Sequence, residues 1–489
     1  MQRAGRVVVL AAGLGTRMKS ARPKVLAPLC GRPMLGWVLD TGAGLQAEQL
    51  DLVIGKEGAE LQAVAERELS ARGASAPRLR CVLQEPRHGT GHALQTCLPE
   101  VGKGSAPVVV LYGDMPLLRA QSLQRLVAHW YERCSGGSRA GIALLTARAR
   151  DPFGLGRVIR AAGGGVRAIV EQRDASPEQR AIDEVNLGVY AFDPRFLAEA
   201  LPRLTNDNAQ REYYLTDLIA SAVAAGRTVE AVVLDDEREA LGVNTLRQLA
   251  QVRRELQDRI LDEHLSAGVY IEDPDSTYID HGVTIGAGTR ILPCTVIRAG
   301  VAIGRDCEVG PFTQLRTGTV LEDGAEVGNF TECKQARVGA HAKAKHLAYL
   351  GDVAIGARVN IGAGTIVANY DGKLKHKSTI GERAFIGSGT VLIAPVEVGA
   401  GALTGGGAVV TRNTVIAPGE AWVGVPARKL AKRSAESKAP APTPAAPAPA
   451  SSRSSAASRS SAASRSSKGT PSKHKTSSSR APRARSKQK

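Results

Sequence analysis

Residues 283–330 repeat a six-residue pattern that leaves few folds open. Every sixth residue is aliphatic from Ile285 to Val327, a small or β-branched residue stands two positions before each, and glycine follows four of them. A period of six matches neither the helical turn of about 3.6 residues nor the alternation of a half-buried strand. It is typical of a parallel β-helix, in which each hexad forms one flat side of a triangular coil. Chance spacing in a strand-rich domain is the alternative, and eight consecutive matches argue against it.

The repeat is interrupted twice, around residues 334–349 and at residues 368–378. Because a β-helix coil buries only its interior, its interruptions are where it can build a site. The first interruption contains His346 and Tyr349. Arg316, Lys334 and Lys345 supply cations. A histidine beside a β-helix is by default a surface residue, so position alone does not identify a catalytic base.

Length, cysteines and charge bound the class of protein. The 489 residues are enough for two or three domains with ample core. Seven cysteines without a CxxC pair predict reduced thiols in a cytoplasmic protein and no zinc site. The net charge is +17, but residues 431–489 carry 14 Lys and Arg against one acid, which is +13. The basic character therefore belongs to a tail and leaves only about +4 for the rest of the chain.

That tail is rich in Ala and Pro and then in Ser and Arg, with Arg453, Arg459 and Arg465 six residues apart. Such a composition cannot bury a core, so we predict that residues 431–489 are disordered. Its charge would allow contact with nucleic acid or another polyanion. No aromatic residue interleaves for base stacking, so a solvated extension without a specific partner is favoured.

The chain opens with an apolar segment, Val7–Ala12, that is too short to cross a membrane. It has no convincing cleavage region after it, so we predict a strand rather than a signal peptide and no membrane span. A glycine-rich turn follows, to which Arg17 and Lys24 add positive charge, and such a turn lets backbone N–H groups approach phosphate. It is neither a Walker A sequence nor a GxGxxG fingerprint, so alone it is weak support.

A second, parallel-type strand is predicted over Val108–Asp114, and the carboxylate of its last residue, Asp114, would lie at the carboxyl edge of the sheet, where ligands bind. A lone carboxylate there is often only a cap, and Asn244 could be only a helix N-cap. Together a carboxylate and an amide oxygen suit Mg²⁺. Residues 245–265 have helical spacing and contain no Gly or Pro, which predicts a long connecting helix.

Longer strings carry a family resemblance. The string LAAGLGTRM at residues 10–18, followed by Pro23-Lys24, resembles the sequence shared by sugar-nucleotide pyrophosphorylases. Three further blocks narrow the resemblance to the bifunctional enzymes that make UDP-N-acetylglucosamine: Gly89–His92, Gly154–Arg157 and Glu184–Gly188. Five blocks of the second half resemble the acetyltransferase half of that family: Gly310–Phe312, Val327–Phe330, His346–Asp352, Asn360–Thr365 and Asn369–Gly372. The resemblance covers nearly everything up to about residue 430.

The resemblance implies a fold and a division of the chain. It implies a Rossmann-like α/β nucleotidyltransferase domain with a mostly parallel sheet at residues 1–232 and a linker with the long helix at 233–265. A left-handed parallel β-helix of hexapeptide repeats would follow at 266–430, before the disordered tail at 431–489. It also implies a homotrimer with acetyl sites between neighbouring prisms.

The implied activity has two steps, acetylation of glucosamine 1-phosphate by acetyl-CoA and then transfer of uridylyl from UTP to N-acetylglucosamine 1-phosphate. The product would feed peptidoglycan and lipopolysaccharide precursor synthesis in the cytoplasm. Arg17 and Lys24 would be catalytic in uridylyl transfer, with Mg²⁺ held by Asp114 and Asn244. The nucleotide and its sugar would be bound by Leu10, Ala11, Ala12, Gly13, Lys24, Gln84, Gly89, Thr90, Tyr112, Gly156, Glu171, Asn186 and Asn244. We interpret His92 as a structural residue that opens a helix after Gly91.

For acetyl transfer the resemblance makes His346 the general base, a role that a neutral imidazole suits near neutral pH. The sugar and its phosphate would contact Arg316, Lys334, Tyr349, Asn360 and Lys375. Acetyl-CoA would contact Ala363, Asn369, Tyr370, Ser388 and Gly406. Three departures from the family pattern leave the affinity for phosphate and coenzyme open: Gln314, Gln335 and Gly424.

Two other functions compete with the bifunctional enzyme. A pyrophosphorylase whose β-helix serves only regulation and assembly would lack the set at the interruptions, yet His346, Tyr349, Asn369 and Tyr370 are all present. A non-catalytic assembly subunit would have lost charged residues at the glycine-rich turn. No such loss of charged residues is seen, since Arg17, Lys24 and Asp114 are all present. We therefore favour the bifunctional enzyme.

Overall fold

A computed structural model of the chain describes residues 2–430 apart from 14, 21 and 57, so the tail predicted at 431–489 lies outside the described residues. The first half contains 11 strands, and nine of them form one sheet. The strands are β1 Arg6–Leu10, β2 Pro28–Leu29, β3 Arg32–Pro33, β4 Gln49–Ile54, β5 Arg78–Leu83, β6 Val108–Tyr112, β7 Ile142–Arg148, β8 Gly156–Arg160, β9 Val166–Val170, β10 Glu184–Phe192 and β11 Val229–Val233. The helices are α1 Met34–Ala43, α2 Ala59–Ser70, α3 Thr90–Gln95, α4 Ala120–His129, α5 Pro177–Arg180, α6 Pro194–Ala200, α7 Asp217–Ala224 and α8 Leu246–Ser266.

The sheet order is β11-β7-β10-β6-β1-β4-β5, with β8 and β9 attached beside β10. Strands β5, β4, β1 and β6 are parallel neighbours, whereas β10 is antiparallel to β6, β7 and β8. The predicted mostly parallel α/β domain is confirmed, with β10 and β9 as the antiparallel strands of the sheet. Val7, Val8 and Val9 of β1 are buried, as expected for a central strand covered by helices on both faces.

The long connecting helix is confirmed as α8, which begins one residue later than predicted. Its N-cap is Thr245, whose Oγ1 accepts the backbone N–H of Gln248 at 3.2 Å. The N-cap reading of Asn244 is therefore wrong, which leaves the Asn244 side chain for other contacts. Arg259 of α8 donates to the Leu117 carbonyl at 2.7 Å, and Gln257 donates to the Ile279 carbonyl at 3.1 Å. The helix thus holds the sheet domain against the start of the second half.

The second half is a parallel β-helix with three sides. The first side stacks β12 Tyr270–Ile271, β15 Arg290–Ile291, β18 Glu308–Val309, β21 Glu326–Asn329, β24 Lys343–His346, β27 Asn360–Ile361, β30 Phe385–Ile386, β33 Leu403–Thr404, β36 Ala421–Val423 and the antiparallel β37 Arg428–Lys429. The second stacks β13 Tyr278–Ile279, β16 Val296–Ile297, β19 Gln314–Leu315, β22 Glu332–Lys334, β25 Tyr349–Gly351, β28 Ile366–Ala368, β31 Val391–Ile393 and β34 Val409–Val410. The third stacks β14 Thr284–Ile285, β17 Ala302–Ile303, β20 Val320–Leu321, β23 Arg337–Val338, β26 Val353–Ile355, β29 Ser378–Ile380, β32 Val396–Val398 and β35 Thr414–Ile416.

The pairing register confirms the hexad repeat. Tyr278 pairs with Val296 18 residues later, which is three hexads and one complete coil. The aliphatic positions point inward, and Ile291, Ile297 and Leu315 are fully buried. Burial of such a side chain stabilises the fold by about 1.5–3 kcal/mol. The small inner positions include threonines whose hydroxyls donate to backbone carbonyls, as Thr313 does to Gly328 at 2.6 Å. Thr319 is an exception, since its buried Oγ1 has no hydrogen-bond partner among the described residues.

The two interruptions are changes of coil length. Val320 pairs with Arg337 after only 17 residues, so one residue is missing at 334–336. Arg337 pairs with Ala354 after 17, so a second residue is missing around 351–353. Val353 then pairs with Ser378 after 25, which is seven more than a regular coil. All three changes fall between the second and third sides, which we call the second corner.

None of the helices among the described residues is long and apolar enough to cross a membrane.

Candidate active sites

Two adjoining cavities open at the carboxyl ends of β1 and β6. These strands are parallel neighbours with Leu10 opposite Tyr112, so the loops that follow them meet at one sheet edge. The first cavity, of about 290 Å³, is lined by nine of the predicted residues: Leu10, Ala11, Ala12, Gly13, Lys24, Gln84, Gly89, Thr90 and Tyr112. The second, of about 270 Å³, is lined by Gly156, Glu171, Asn186 and Asn244. Both share Thr90, Tyr112, Asp114 and Glu212, so the two cavities meet beside Asp114.

A cluster of charged and amide groups occupies that meeting point. The ammonium of Lys24 contacts the Asp114 carboxylate, and its Nζ lies 2.9 Å from Oδ1 of Asn244. Arg17 lines neither cavity, but its Nη2 donates to the same Oδ1 at 3.0 Å. The structure thus brings together all four residues predicted to handle the triphosphate and the metal. Two cations facing one carboxylate leave a surplus of positive charge suited to phosphate.

The donor set fits Mg²⁺ better than a protein-enclosed metal. Among the residues that the structure describes, no group of three or more His, Cys, Asp or Glu could hold a metal ion. Asp114 and Asn244 offer one carboxylate and one amide oxygen, and Mg²⁺ takes its remaining ligands from water and substrate phosphates.

Tyr112 forms the wall between the two cavities. Burial and the nearby Glu171 carboxylate raise the pKa of Tyr112, so its phenol remains a protonated donor. Its ring lies against Gly188, where an added Cβ would be 2.1 Å from Cε2 of Tyr112. Gly188 also has φ +71°, a left-handed conformation that favours glycine. Gly188 is therefore required both by the backbone and by the position of the Tyr112 ring.

The second cavity contains a half-buried carboxylate, Glu171, just after β9 and a buried amide, Asn186, on β10. Oε1 of Glu171 lies 3.4 Å from the hydroxyl of Thr216, and burial raises the pKa of Glu171. Asn186 donates from Nδ2 to the hydroxyl of Tyr190 at 2.7 Å, while its Oδ1 accepts the N–H of Gly188 at 3.2 Å. Tyr190 is fully buried, so it fixes the Asn186 amide from behind. The sequence analysis missed Thr216 and Tyr190.

His92 is placed in the first turn of α3, beside the nucleotide cavity rather than in it. Its Nδ1 lies 3.3 Å from Nε2 of Gln84, which also donates to the Gly89 carbonyl at 2.9 Å. Burial lowers the pKa of His92, and His88 lowers it further. A neutral imidazole that supports Gln84 agrees with the structural role predicted for His92.

In the β-helix, the corner between the first and second sides, the first corner, carries His346 and the predicted coenzyme residues. His346 pairs with Asn329 of the coil before it. The carbonyl oxygen of His346 accepts the backbone N–H of Gly364, one coil later, at 3.4 Å. Below it the backbone continues in register, since Gly389 N donates to Ala363 O and Gly407 N donates to Ser388 O, both at 2.7 Å. Ala363, Ser388 and Gly406 therefore lie in successive coils directly below His346.

Large side chains occupy the same corner above His346. Phe312, Phe330 and Leu347 stand in successive coils, and each is more than half exposed, at 51%, 58% and 60%. The two phenylalanine rings stack with centroids 5.1 Å apart. The first corner thus changes from an exposed apolar ridge, formed by Phe312, Phe330 and Leu347, to a row of small residues, Ala363, Ser388 and Gly406.

The second corner gathers the predicted phosphate-binding cations. A hydrogen bond to Lys375, slight burial and the like charge of Lys375 lower the pKa of Lys334, so the two ammonium groups are close neighbours. Arg316 stands one coil above Lys334 and is paired with Glu332 at 2.7 Å. Two adjacent ammonium groups repel each other, so an anion between them would be stabilised. Lys345, in contrast, lies on the first side and pairs with Glu326 at 2.6 Å.

Gly351 lies where the second corner is shortened, and its missing side chain leaves room for Tyr349 and Asn369, which are predicted to contact the substrates of acetyl transfer. A Cβ at Gly351 would lie 2.7 Å from both Oη of Tyr349 and Nδ2 of Asn369. Asn369 is buried and donates to the Asp352 carboxylate. Tyr370 lies next to it on the exposed loop.

One chain does not bring the whole predicted acetyl site together. Asn360 alternates with the buried Ile361 and therefore points outward from the first side. Tyr349 alternates with the buried Leu350 and points outward from the second side. The coenzyme residues divide in the same way, since Ala363, Ser388 and Gly406 lie at the first corner and Asn369 and Tyr370 at the second. The three departures are placed near these groups: Gln314 pairs in register with Glu332, Gln335 has φ +48° at the second corner, and Gly424 has φ +92° after β36.

Comparison with known proteins covers both halves. Residues 7–217 match the model of the MobA-like NTP transferase domain, and residues 377–412 match that of the bacterial transferase hexapeptide with six repeats. A protein of Trichlorobacter lovleyi named bifunctional protein GlmU is 44% identical over 440 residues, covering 83% of this chain and 93% of the relative. Proteins of the same name are 45% identical in Azotobacter vinelandii, with 83% and 93% covered, and in Alkalilimnicola ehrlichii, with 86% and 94% covered.

Proposed function

The chain belongs to the family of bifunctional GlmU proteins, and from this premise we propose how its residues divide the two reactions. It is a bifunctional enzyme of UDP-N-acetylglucosamine synthesis, with uridylyltransferase and acetyltransferase activity. We assign uridylyl transfer to residues 1–232, the link to 233–265 and acetyl transfer to 266–430. The observation that carries the assignment is the meeting of Lys24, Asp114 and Asn244 between two cavities. In the β-helix of the same chain, His346 stands above successive coils of small residues.

The first cavity would hold the uridine nucleotide and the second the sugar phosphate. A phosphate oxygen of N-acetylglucosamine 1-phosphate attacks the α-phosphorus of UTP, a new O–P bond forms, and the bond to the β-phosphate oxygen breaks to release pyrophosphate. Lys24 and Arg17 neutralise charge on the phosphates, and Glu171 and Asn186 orient the sugar. Asp114 and Asn244 would hold Mg²⁺, which when bound supplies further neutralisation of the phosphate charge.

Acetyl transfer would take place at the β-helix. His346 removes a proton as the 2-amino nitrogen of glucosamine 1-phosphate attacks the thioester carbonyl of acetyl-CoA, and the C–S bond breaks to release coenzyme A as its thiol. Arg316, Lys334 and Lys375 bind the sugar phosphate. The row of small residues below His346, in successive coils, accommodates the coenzyme chain.

A homotrimer completes the acetyl site in this proposal. Asn360 points from the first side and Tyr349 from the second, so a single prism cannot direct both at one sugar. A neighbouring copy can supply the missing face. The exposed apolar ridge of Phe312, Phe330 and Leu347 next to His346 supports a contact between copies, because such a ridge is costly to leave in water.

We also propose a cytoplasmic location for the enzyme. All seven cysteines are free, and burial raises the pKa of Cys97 and Cys333 to about 12, so these thiols resist oxidation. The product would serve as a precursor for peptidoglycan and lipopolysaccharide. The tail remains outside this assignment.

Two products test the proposal separately. Purified protein is supplied with glucosamine 1-phosphate, acetyl-CoA, UTP and Mg²⁺, and free thiol and pyrophosphate are measured side by side. We expect both products from the wild-type chain. His346→Ala should release no thiol, yet should form pyrophosphate when given N-acetylglucosamine 1-phosphate. If the wild-type chain releases pyrophosphate from added N-acetylglucosamine 1-phosphate but no thiol from glucosamine 1-phosphate, the result would instead support the pyrophosphorylase with an assembly β-helix.

A further inference from the structure

The loop inserted at the second corner, residues 369–377, is held by one carboxylate. Its chain forms a small hairpin, in which His376 N donates to Asn369 O at 2.8 Å, Tyr370 bridges to Lys375, and Asp371 N donates to Leu374 O at 3.1 Å. Oδ1 of Asp371 accepts the N–H groups of Lys373 and Leu374 at 2.9 and 2.7 Å. The side chain of Asp371 therefore closes the tip of the hairpin.

The other oxygen of Asp371 ties this hairpin to the β-helix. Oδ2 accepts from Nη2 of Arg412 at 2.8 Å and lies 2.7 Å from Nε2 of His376. Arg412 belongs to the same corner two coils further on, where Asn413 N donates to Pro395 O at 2.8 Å and Ala394 N donates to Ala368 O at 3.1 Å. The Leu374 N–H, the Arg412 guanidinium, His376 and the Lys373 N–H hold the pKa of Asp371 well below its usual range, so it stays a carboxylate.

We propose that Asp371, through Arg412, is a positioning group for acetyl transfer. It acts by holding the inserted hairpin so that Lys375 stands beside Lys334 and Tyr370 stands beside Asn369. This inference rests on the proposed acetyl site and adds residues that neither the sequence analysis nor the comparisons assign to it. The hairpin is pinned on one side by Asn369 against Asp352 and on the other by Asp371 against Arg412.

The coil itself does not depend on this clasp. Val353 pairs with Ser378 across the base of the insertion, so the β-helix closes whether or not the hairpin is ordered. Asp371 therefore contributes to the geometry of the loop rather than to the core. Losing the clasp should move Lys375 away from Lys334 while His346 at the first corner stays in place, so binding of the sugar phosphate should suffer more than turnover.

The test compares Asp371→Ala, Asp371→Asn and Arg412→Ala with Glu382→Gln. Glu382 is a matched control, because it is a half-exposed carboxylate near Arg358 in the same domain, at 3.6 Å. Thiol release is measured against glucosamine 1-phosphate concentration, and pyrophosphate release is measured on the same preparations. We expect Asp371→Ala to raise KM for glucosamine 1-phosphate at least about 10-fold, since misplacing a group by about 1 Å can cost about 100-fold. Uridylyl transfer and Glu382→Gln should stay within about twofold of wild type.

Asp371→Asn keeps an oxygen for the turn but loses the charge that pairs with Arg412, so it should resemble Arg412→Ala and have a smaller effect than Asp371→Ala. Wild-type KM in Asp371→Ala would overturn the positioning role alone. A parallel loss of both activities with a lower Tm would also overturn it, because the group would then be structural. If the wild-type chain releases no thiol, the acetyl site itself fails and the positioning role fails with it.

Discussion

Lys24 and Asn244, 220 residues apart in the chain, meet with Nζ of the lysine 2.9 Å from Oδ1 of the asparagine. The same oxygen accepts from Arg17 at 3.0 Å, and Lys24 also contacts Asp114. One amide oxygen therefore organises both cations assigned to the phosphates. In the proposed division of the chain, the junction between the sheet domain and α8 therefore contributes a residue to the uridylyl-transfer site.

Asn244→Ala should lower uridylyl transfer about 10- to 100-fold and raise the Mg²⁺ concentration needed for half-maximal pyrophosphate release, because it removes both a metal ligand and the anchor of two cations. The matched control is Thr245→Val, which removes the N-cap of α8 and costs about 1 kcal/mol of stability. If the control shifted the Mg²⁺ dependence as much as Asn244→Ala, the role assigned to Asn244 would be wrong.

Gly188→Ala should abolish most uridylyl transfer, because its Cβ would be 2.1 Å from the Tyr112 ring in the wall between the cavities. Gly226→Ala separates this clash from backbone strain, since Gly226 also has a positive φ, +67°, but has open space around it. The left-handed backbone alone costs an alanine about 1–2 kcal/mol. Pyrophosphate release should therefore fall in the first variant and persist in the second, and thiol release should persist in both.

The pH dependence of sugar binding should reveal Glu171. Burial raises the pKa of Glu171, so as pH falls the carboxylate is protonated earlier than an ordinary glutamate and KM for N-acetylglucosamine 1-phosphate should rise. Thr216→Val removes the hydrogen bond that favours the carboxylate, so the rise should begin at a higher pH. Glu171→Gln should give a KM that is high at every pH. A wild-type KM that is flat down to the ordinary glutamate pKa would contradict this role.

Gly351→Ala should suppress acetyl transfer about 100-fold while leaving uridylyl transfer intact, because the new methyl group would displace Tyr349 and Asn369, each 2.7 Å from its position. Thiol and pyrophosphate release from one preparation provide the comparison. Equal loss of both products would show a folding defect instead of a local one.

The fold was readable from sequence because its periodicity is physical. If three hexads make one coil, an aliphatic residue every six positions places one such side chain inside each of the three sides. Residues 18 positions apart must then pair, as Tyr278 does with Val296. The β1 strand and α8 were equally accessible, from apolar runs and helical spacing. The positions of the two interruptions were readable as well, but the coil lengths of 17 and 25 residues were not, since a broken repeat does not show which residues pair across the break.

Site residues could be predicted where they belong to a sequence motif. They could not be predicted where they act by holding another residue in place. Asn244 and Thr245 both suit an N-cap, and only the backbone shows that Thr245 takes it. Tyr190 looks like any core aromatic in a buried strand until its hydroxyl is found on Asn186. Asp371 lies in a recognised block, yet its partner Arg412 is 41 residues further on and has no sequence signal. Nor could the repeat alone show that Asn360 and Tyr349 occupy different sides.

The central claim is that one chain carries two separate active sites, and a complementation measurement tests it most directly. His346→Ala and Asp114→Asn are each given glucosamine 1-phosphate, acetyl-CoA, UTP and Mg²⁺, alone and mixed, and UDP-N-acetylglucosamine is quantified. Neither variant alone should form product, because each lacks one step. The mixture should form it, since N-acetylglucosamine 1-phosphate made by one variant is consumed by the other. Product from either variant alone, or none from the mixture, would contradict the account.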